Sequence, residues 1–414
     1  MTGLPLFNTK KEMFYSFLVL VALLSLSLLY EFYKYKQVTT YSLHVASANV
    51  VNSYEKTSKK DKKYTVLKLK SDDFTFHTTY WKPLHVDRGD KLKVIFYTKN
   101  IDFYSFLKGF YAPLKSLHVE SKAEKNILVD FVEKQHESLK TRELYNALFF
   151  AIPVSKELRE DIVKWGIAHL VAISGFHLGL LSGILFFLLK PAYTFFQDRY
   201  FPYRNRMADL ALFVFVLLGF YVYFIDMPPS VVRAYVMSLI GFFLYSQNIK
   251  IISFETLLFT VATVAILFPS LIFSIAFWFS VSGVFYIFLF LHHFSHLNKI
   301  AIFILLHFWV YILMTPIVHF VFDVFTLHQL LSPFISMLFI LFYPLSLALH
   351  VVSFGGVMDS FLLWFFSLDI EVISIKTPLW FFVSFVVLSL LAIRFKSLCL
   401  PLLLFASSLA LGLV

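Results

Sequence analysis

The chain has 414 residues, of which 59% are apolar, 19% aromatic and only 15% charged. Soluble domains run at about 45–50% apolar and about 25% charged, so an ordinary soluble globule is excluded, and the pattern also excludes collagen, coiled coil and disorder. The formal net charge of +10 favours anionic partners, either membrane lipid or nucleic acid. Cys399 is the single cysteine, which rules out an intrachain disulfide and a cysteine-cluster metal site.

The charge is unevenly placed. Residues 31–145 hold 21 Lys/Arg and 14 Asp/Glu, net +7, whereas residues 146–414 hold 13 and 11. The chain therefore reads in three parts: 1–30 as a cytoplasmic tail and membrane anchor, 31–145 as a basic extracytoplasmic domain, and 146–414 as a polytopic helical domain. The expected class is an α-helical polytopic membrane protein with a small β-rich, OB-like extracytoplasmic domain.

The first apolar run, 14–30, follows Lys10 and Lys11 and precedes Lys34 and Lys36. With no small-residue cleavage site after Leu29-Tyr30-Glu31, it reads as an uncleaved anchor with a cytoplasmic N-terminus. Residues 41–51, 64–70, 74–80 and 91–97 are short β-branched and aromatic stretches bounded by turn signals, and 101–107 suits a short helix. Tyr64–Lys70 alternates apolar and polar, the mark of a half-buried strand, and Asp87-Arg88-Gly89-Asp90 is a turn. Four or five short strands with one helix suit a small barrel such as an OB-fold. The loop at 55–63 concentrates Lys59, Lys60, Lys62 and Lys63. It reads either as a solvated hairpin tip or as a phosphate contact, with Tyr64, Phe74, Phe76, Tyr80 or Trp81 as stacking partners for single-stranded nucleic acid.

Beyond the basic domain, apolar runs at 166–189, 207–225, 231–245, 252–268, 271–291, 300–321, 330–352, 379–393 and 398–414 bring the expected spans to about ten. The run at 361–375 is too short to cross and reads as re-entrant or interfacial. Within 166–189, His169, Ser174, Gly175, His177 and Gly179 stand where a lipid-facing helix would carry Leu or Phe. Polar groups at that depth face a bundle interior or a wet cavity, and Gly175, Gly179 and Gly183 form a GxxxGxxxG packing face. The two histidines read either as hydrogen-bonded seam residues or as lining of a polar path. Without HExxH or a nearby acid, a metal pair is the weaker reading. At 228–237, prolines and Ser230 open a helix, with Arg233 about one turn in, as either a snorkelling cation or a functional one. His292-His293-Phe294-Ser295-His296 reads as an interfacial loop, and Glu255, His307, His319 and His350 as isolated packing residues.

The run from Trp165-Gly166-Ile167-Ala168-His169 through Ile173-Ser174-Gly175-Phe176-His177-Leu178-Gly179 resembles the hallmark of the ComEC competence-channel family, approximately G-x-x-H-L-L-A-I-S-G-L-H-V-G. Pro229-Ser230-Val231-Val232-Arg233-Ala234 with Met237 is similar to its P-S-x-x-R-A-x-x-M helix, and Thr315-Pro316 with Ser332-Pro333 to its T-x-P…S-P segment. Phe277-Trp278-Phe279-Ser280-Val281 departs from F-Q-L-S-F at Trp278, and Ser336 stands where Asn is expected, so neither position takes a functional label here. No H-x-H-x-D-H pattern occurs, so the resemblance is to a form without the nuclease-like metallo-β-lactamase domain of many members. It implies a bacterial inner-membrane channel that admits single-stranded DNA from periplasm to cytoplasm in natural transformation. A periplasmic DNA receptor and a cytoplasmic motor or recombination-mediator protein are the implied partners. No Walker A pattern is present, and no cofactor or metal is expected. A membrane-embedded hydrolase using Ser174 with His169 or His177, and a small-molecule secondary transporter, remain the alternatives.

Overall fold

A computed structural model describes residues 5–7, 9–58, 61–82, 84, 86–123, 126–368, 371–410 and 412. Its contacts divide the chain into two units: one comprises Phe7–Asn126 with Ala262–Ile275, and the other chiefly Ile127–Val261 with Ala276–Val414.

The first unit begins with helix α1 (Lys10–Thr39), capped where Thr9 Oγ1 accepts the Glu12 N–H at 3.1 Å. The apolar run ends near Tyr30, but the helix does not. Its last turns pack on the β-rich part: Val38 is buried in that core, and the Tyr35 hydroxyl donates to the Ile101 carbonyl at 3.1 Å. Strands β1 (Leu43–Thr57), β2 (Lys63–Lys70), β3 (Thr75–Tyr80) and β4 (Lys91–Tyr97) fall close to the expected stretches. Helix α2 (Phe103–Lys108), β5 (Phe110–Tyr111) and β6 (Leu114–Ser121) follow. The sheet order is β5-β3-β2-β1-β4-β6. The long β1 serves two antiparallel partners, β4 through its first half and β2 through its second, with a register shift between Val50 and Asn52. β5 runs parallel to β3, β6 antiparallel to β4, and only Ala112-Pro113 separates them, so both edges of the sheet are consecutive pieces of chain.

Alternation along β2 buries Thr65, Leu67 and Leu69 and leaves Tyr64, Val66 and Lys68 on the other face. The core is aromatic: Phe76 and Phe106 each stack on Phe110, with centroids 5.6 and 5.8 Å apart. Each such burial contributes about 1.5–3 kcal/mol. The expected turn is fastened by buried Asp90, whose carboxylate accepts the Asp87 N–H at 2.9 Å and the Ala123 N–H at 2.7 Å. Gly89 has φ +90 there, and an added Cβ would lie 3.0 Å from Ala123 Cβ, so a side chain would be both strained and crowded.

The second unit is helical: α3 (Ile127–Glu133), α4 (Leu139–Phe150), α5 (Lys156–Lys164), the single turn α6 (Ala168–Val171), α7 (Gly175–Tyr200), α8 (Arg206–Phe224) and α9 (Pro229–Ser246). Helix α10 (Phe254–Leu267) leads from this unit into the first. After it come α11 (Ile275–Phe294), α12 (Lys299–Val321), β7 (Val324–Phe325), α13 (Ser332–Val351), α14 (Asp359–Ser367), β8 (Ile373–Ser374), α15 (Leu379–Arg394) and α16 (Cys399–Ala410).

Among the described residues, six helices are long and apolar enough to cross a membrane, and four shorter apolar helices occupy the other expected spans. At 1.5 Å per residue the 14 residues of α10 reach about 21 Å, short of a hydrocarbon core of about 30 Å. Two expectations change in detail. The run 166–189 is not one helix, because Ala172 and Ser174 are extended and break it before α7. The stretch 361–375 splits into α14 and β8, and β8 pairs with β7 beyond the end of α12. There Thr377 supplies donors near the C-terminal end of α12, its hydroxyl donating to the Pro316 carbonyl at 2.9 Å and its N–H to the His319 carbonyl at 3.0 Å.

Candidate functional site

The break before α7 organises the most polar part of the helical unit. Ser174 is extended, with φ −136 and ψ −179, and forms a reciprocal capping box with His177, whose Nδ1 accepts the Ser174 N–H at 3.3 Å. Since Nδ1 accepts, the neutral ring carries its proton on Nε2. That atom is buried and has no hydrogen-bond partner among the described residues. It lies among rings, with Tyr343 perpendicular at 4.8 Å and Phe339 at 5.4 Å. One turn of chain earlier, His169 Nε2 is 3.1 Å from Ser336 Oγ. His169 is exposed.

Distant segments converge on this break. Gly166, at φ +67, admits Gln329, whose Cγ would lie 3.1 Å from an added Cβ, and the Gly166 carbonyl accepts the Ser332 hydroxyl at 3.1 Å. Gln329 Nε2 donates to the Val163 carbonyl at 3.0 Å, and Thr326 Oγ1 donates to that of Lys164. Where α7 starts, Ala234 Cβ lies 3.5 Å from the Cβ position of Gly175. Gly179 and Gly183 have nothing within 4 Å of theirs, so the close approach expected of the glycine row is confined to its first member.

Arg233 is 5% exposed, and its guanidinium carbon lies 5.9 Å from the centroid of the Phe277 ring. Nε has no hydrogen-bond partner among the described residues. An interior cation held against an aromatic face keeps its charge available to an anion. The side chain of Ser230 lies outside the described residues.

Helix α13 carries a polar seam. Ser332, Tyr343, Ser346 and His350 are buried on one face, with Ser336 between them. Along it, Ser332 meets Gly166, Ser336 meets His169, Tyr343 meets His177, and His350 Nε2 meets His136 Nε2 at 2.9 Å. His136 Nδ1 in turn faces both Asp359 oxygens at 2.9 and 3.0 Å. Sequence reasoning set Ser336 aside and read His350 as an isolated packing residue, while His136 sat unnoticed among charged residues. The available signal for Ser336 was its polar character at a position where the resemblance expects Asn. His293, in the motif read as a loop, ends α11 and faces the Ala392 carbonyl at 2.7 Å.

In the β-rich unit, Lys62 and Lys63 are exposed at the β1–β2 hairpin, and Lys59 and Lys60 lie outside the described residues. Of the expected stacking residues, Phe74 and Phe76 belong to the core. Tyr64 and Trp81 instead pair at 4.9 Å on the outer face, with Trp81 58% exposed. Tyr54, which sequence reasoning missed, is exposed on β1 with Lys56 Nζ 5.5 Å over its ring.

Compared with known proteins, residues 153–414 match a family model described as competence protein. No curated protein and no solved structure matches the chain.

Proposed function

Starting from a chain that belongs to the competence-protein family, and so to DNA uptake for competence, we propose that this protein is a multi-pass inner-membrane channel with a cytoplasmic N-terminus, passing single-stranded DNA from periplasm to cytoplasm. The observation that carries the reading is the convergence at the α7 break. His169, Ser174, Gly175, His177 and Arg233 come from the two most distinctive motifs, and Ser336 and Phe277 join them, all within an otherwise apolar bundle. An exposed imidazole and a buried cation without a carboxylate partner among the described residues suit a polyanion that must pass without being held. Gly179, with open space over its Cα, and Ser230, at the start of the Arg233 helix, complete the proposed path.

The β-rich unit is proposed to be an extracytoplasmic OB-like domain. Its topology supports this, since β1 is shared between two partners and the two sheet edges are one interrupted strand. Lys59, Lys60, Lys62 and Lys63 would gather phosphates, while Tyr54, Tyr64 and Trp81 offer base-stacking faces. A periplasmic DNA receptor would deliver the strand, and a cytoplasmic motor or recombination mediator would take it up. The hydrolase alternative weakens at the geometry of its own pair, because Ser174 and His177 are spent on capping α7 and the free imidazole nitrogen faces aromatic rings.

The test follows labelled duplex DNA in a strain lacking this chain. Label should accumulate in a nuclease-protected periplasmic pool and be missing from the cytoplasm, with growth unaffected. Cytoplasmic label at the parental level would overturn the channel reading.

A further inference from the structure

The buried cluster at the far end of the α13 seam has a definite proton inventory. His350 Nδ1 is 2.6 Å from the Ser346 carbonyl, which can only accept, so His350 carries a proton there. The 2.9 Å contact between His350 Nε2 and His136 Nε2 requires one proton between two nitrogens. The contact of His136 Nδ1 with Asp359 at 2.9 Å requires another, on either the ring or the carboxyl. That makes three protons. Two neutral imidazoles and a carboxylate hold only two and carry a charge of −1, which would set two lone pairs against each other at one of these contacts. A fourth would set two N–H groups against each other between the rings. Three protons, the net-neutral state, satisfy all three contacts at once. Within it, an Asp359 carboxylate facing a doubly protonated His136 and a proton-bearing Asp359 facing neutral His136 differ only in where one proton rests.

We propose that Asp359, His136 and His350 form a proton-binding site that takes up one proton and, when loaded, fastens the 134–142 segment to the corner between α13 and α14. The uptake is balanced: the anionic triad plus one proton gives the neutral triad, with the N–H···N link restored. The histidines are 2% and 3% exposed, whereas the Asp359 side chain is 16% exposed and forms the entrance. Further contacts cross the same corner. Thr141 Oγ1 lies 3.1 Å from Asp359, Gln135 Nε2 donates to the His350 carbonyl at 3.2 Å, and Gln135 Oε1 accepts the Gly355 N–H at 2.8 Å.

The charged side chains around the triad are engaged by other groups. Arg142 Nε is engaged by the His136 carbonyl at 2.8 Å, Lys140 by Asp161 at 2.6 Å, and Glu133 by the Asn146 amide at 2.7 Å. Tyr145 stacks on His136 at 4.6 Å, and burial together with the Asp359 charge pushes its hydroxyl above the usual range, so it stays protonated. Tyr221 is occupied by the Phe149 carbonyl at 2.9 Å. A buried His–Asp chain at the end of a polar seam in an apolar bundle is the arrangement through which membrane proteins bind and relay protons. The inference stands apart from the identity of the transported polymer.

The experiment uses the full chain in nanodiscs, labelled with ¹⁵N-histidine and followed from acidic to alkaline pH, with His136→Asn and His350→Asn used for assignment. In the wild type, the His136 and His350 nitrogens should share one hydrogen bond at low pH and lose a single proton together as pH rises. Amide exchange over 134–142, corrected for its intrinsic rate, should then quicken by about tenfold or more. Asp359→Asn keeps a donor toward His136 Nδ1 but removes the ionisable carboxyl, so the joint step should vanish and exchange should stay slow at every pH. Two singly protonated, unlinked imidazoles in the wild type at all pH values would overturn the proposal. So would a wild-type proton step with no change in exchange, which would reduce the triad to a static contact. Both readings come from the wild type and stand even where a variant fails to fold.

Discussion

The two units settle their polar groups differently. In the β-rich unit, buried Asp90 accepts two backbone donors and buried Thr78 donates to the Ala112 carbonyl at 2.7 Å. In the helical unit, the Tyr145 hydroxyl, Asn146 Oδ1, His177 Nε2 and Arg233 Nε are buried without hydrogen-bond partners among the described residues, while Asp161 is met by Lys140. Each unpartnered buried group costs about 1–3 kcal/mol, so a unit built only for stability would not keep four of them. The first unit is organised around a closed aromatic core. The second holds polar atoms open along α4, α7 and α9, where water or an ion would complete them.

That contrast breaks first if the aromatic core is not what holds the β-rich unit. Phe76 is fully buried between Phe110, Phe96 and Phe74. Phe76→Ala should destabilise this unit by about 3–5 kcal/mol, read as its earlier unfolding in denaturant. A loss below about 1 kcal/mol would mean that stability resides elsewhere.

In the helical unit the expected effect falls on function. Replacing an unpartnered interior cation with an apolar residue should leave the protein as abundant as before or more so, because removing an uncompensated buried charge relieves a cost. Arg233→Leu should nevertheless lower DNA uptake roughly 10–150-fold, the equivalent of losing a charged hydrogen bond of about 1.5–3 kcal/mol. Arg233→Lys should fall in between. Parental uptake by the Leu variant would take Arg233 off the path, and loss of the protein from the membrane would make it structural.

The outer face of the β-rich unit gives a smaller effect with two separable parts. Trp81→Ala should weaken single-stranded DNA binding by about 1–3 kcal/mol with the salt slope intact, because stacking releases no counterions. Lys62→Gln and Lys63→Gln should each lower the slope of log affinity against log salt by about 0.7. If Trp81→Ala changes the slope, or the Lys variants do not, the face binds in some other way.

Much of the fold was legible because local pattern determined it. The alternation in Tyr64–Lys70 marked β2 as a half-buried strand, and the Asp87–Asp90 turn needed only its glycine. What stayed hidden lacked local contrast. β5 is two residues long and leaves no period to read. The break at Ala172–Ser174 lies inside an apolar run, and hydropathy reports composition rather than backbone angles; its cap pairs Ser with His instead of the usual Glu or Gln. The triad could not be read at all, since His136 stands 223 residues from Asp359 and 214 from His350. Nothing in a charged stretch distinguishes the histidine that folds inward. Convergence of distant motifs, such as Arg233 with Phe277 and His169 with Ser336, is a property of packing.

The smallest effect is a difference in sign between the units. In the β-rich unit, burial lowers the pKa of His44, which lies between Phe74 and Phe96. Burial, then the charge of Lys68 directly across the strand pair, lowers that of His77. Because both folded values lie below the ordinary imidazole value of 6.5, the unfolded chain binds protons more readily. Stability is then present above pH 6.5 and lost as pH falls below it toward the folded values. The proposed triad responds the other way, fastened when protonated and loosened as pH rises. Acidification should therefore lower the melting midpoint of the β-rich unit while slowing amide exchange over 134–142 in the helical one. Lys68→Gln removes the secondary cause at His77 and should flatten the acid slope slightly without touching the helical response, whereas His77→Gln should remove that histidine's share entirely. Midpoints that fall together on acidification, with faster exchange over 134–142, would show that one shared titration governs both units and would end the contrast between them.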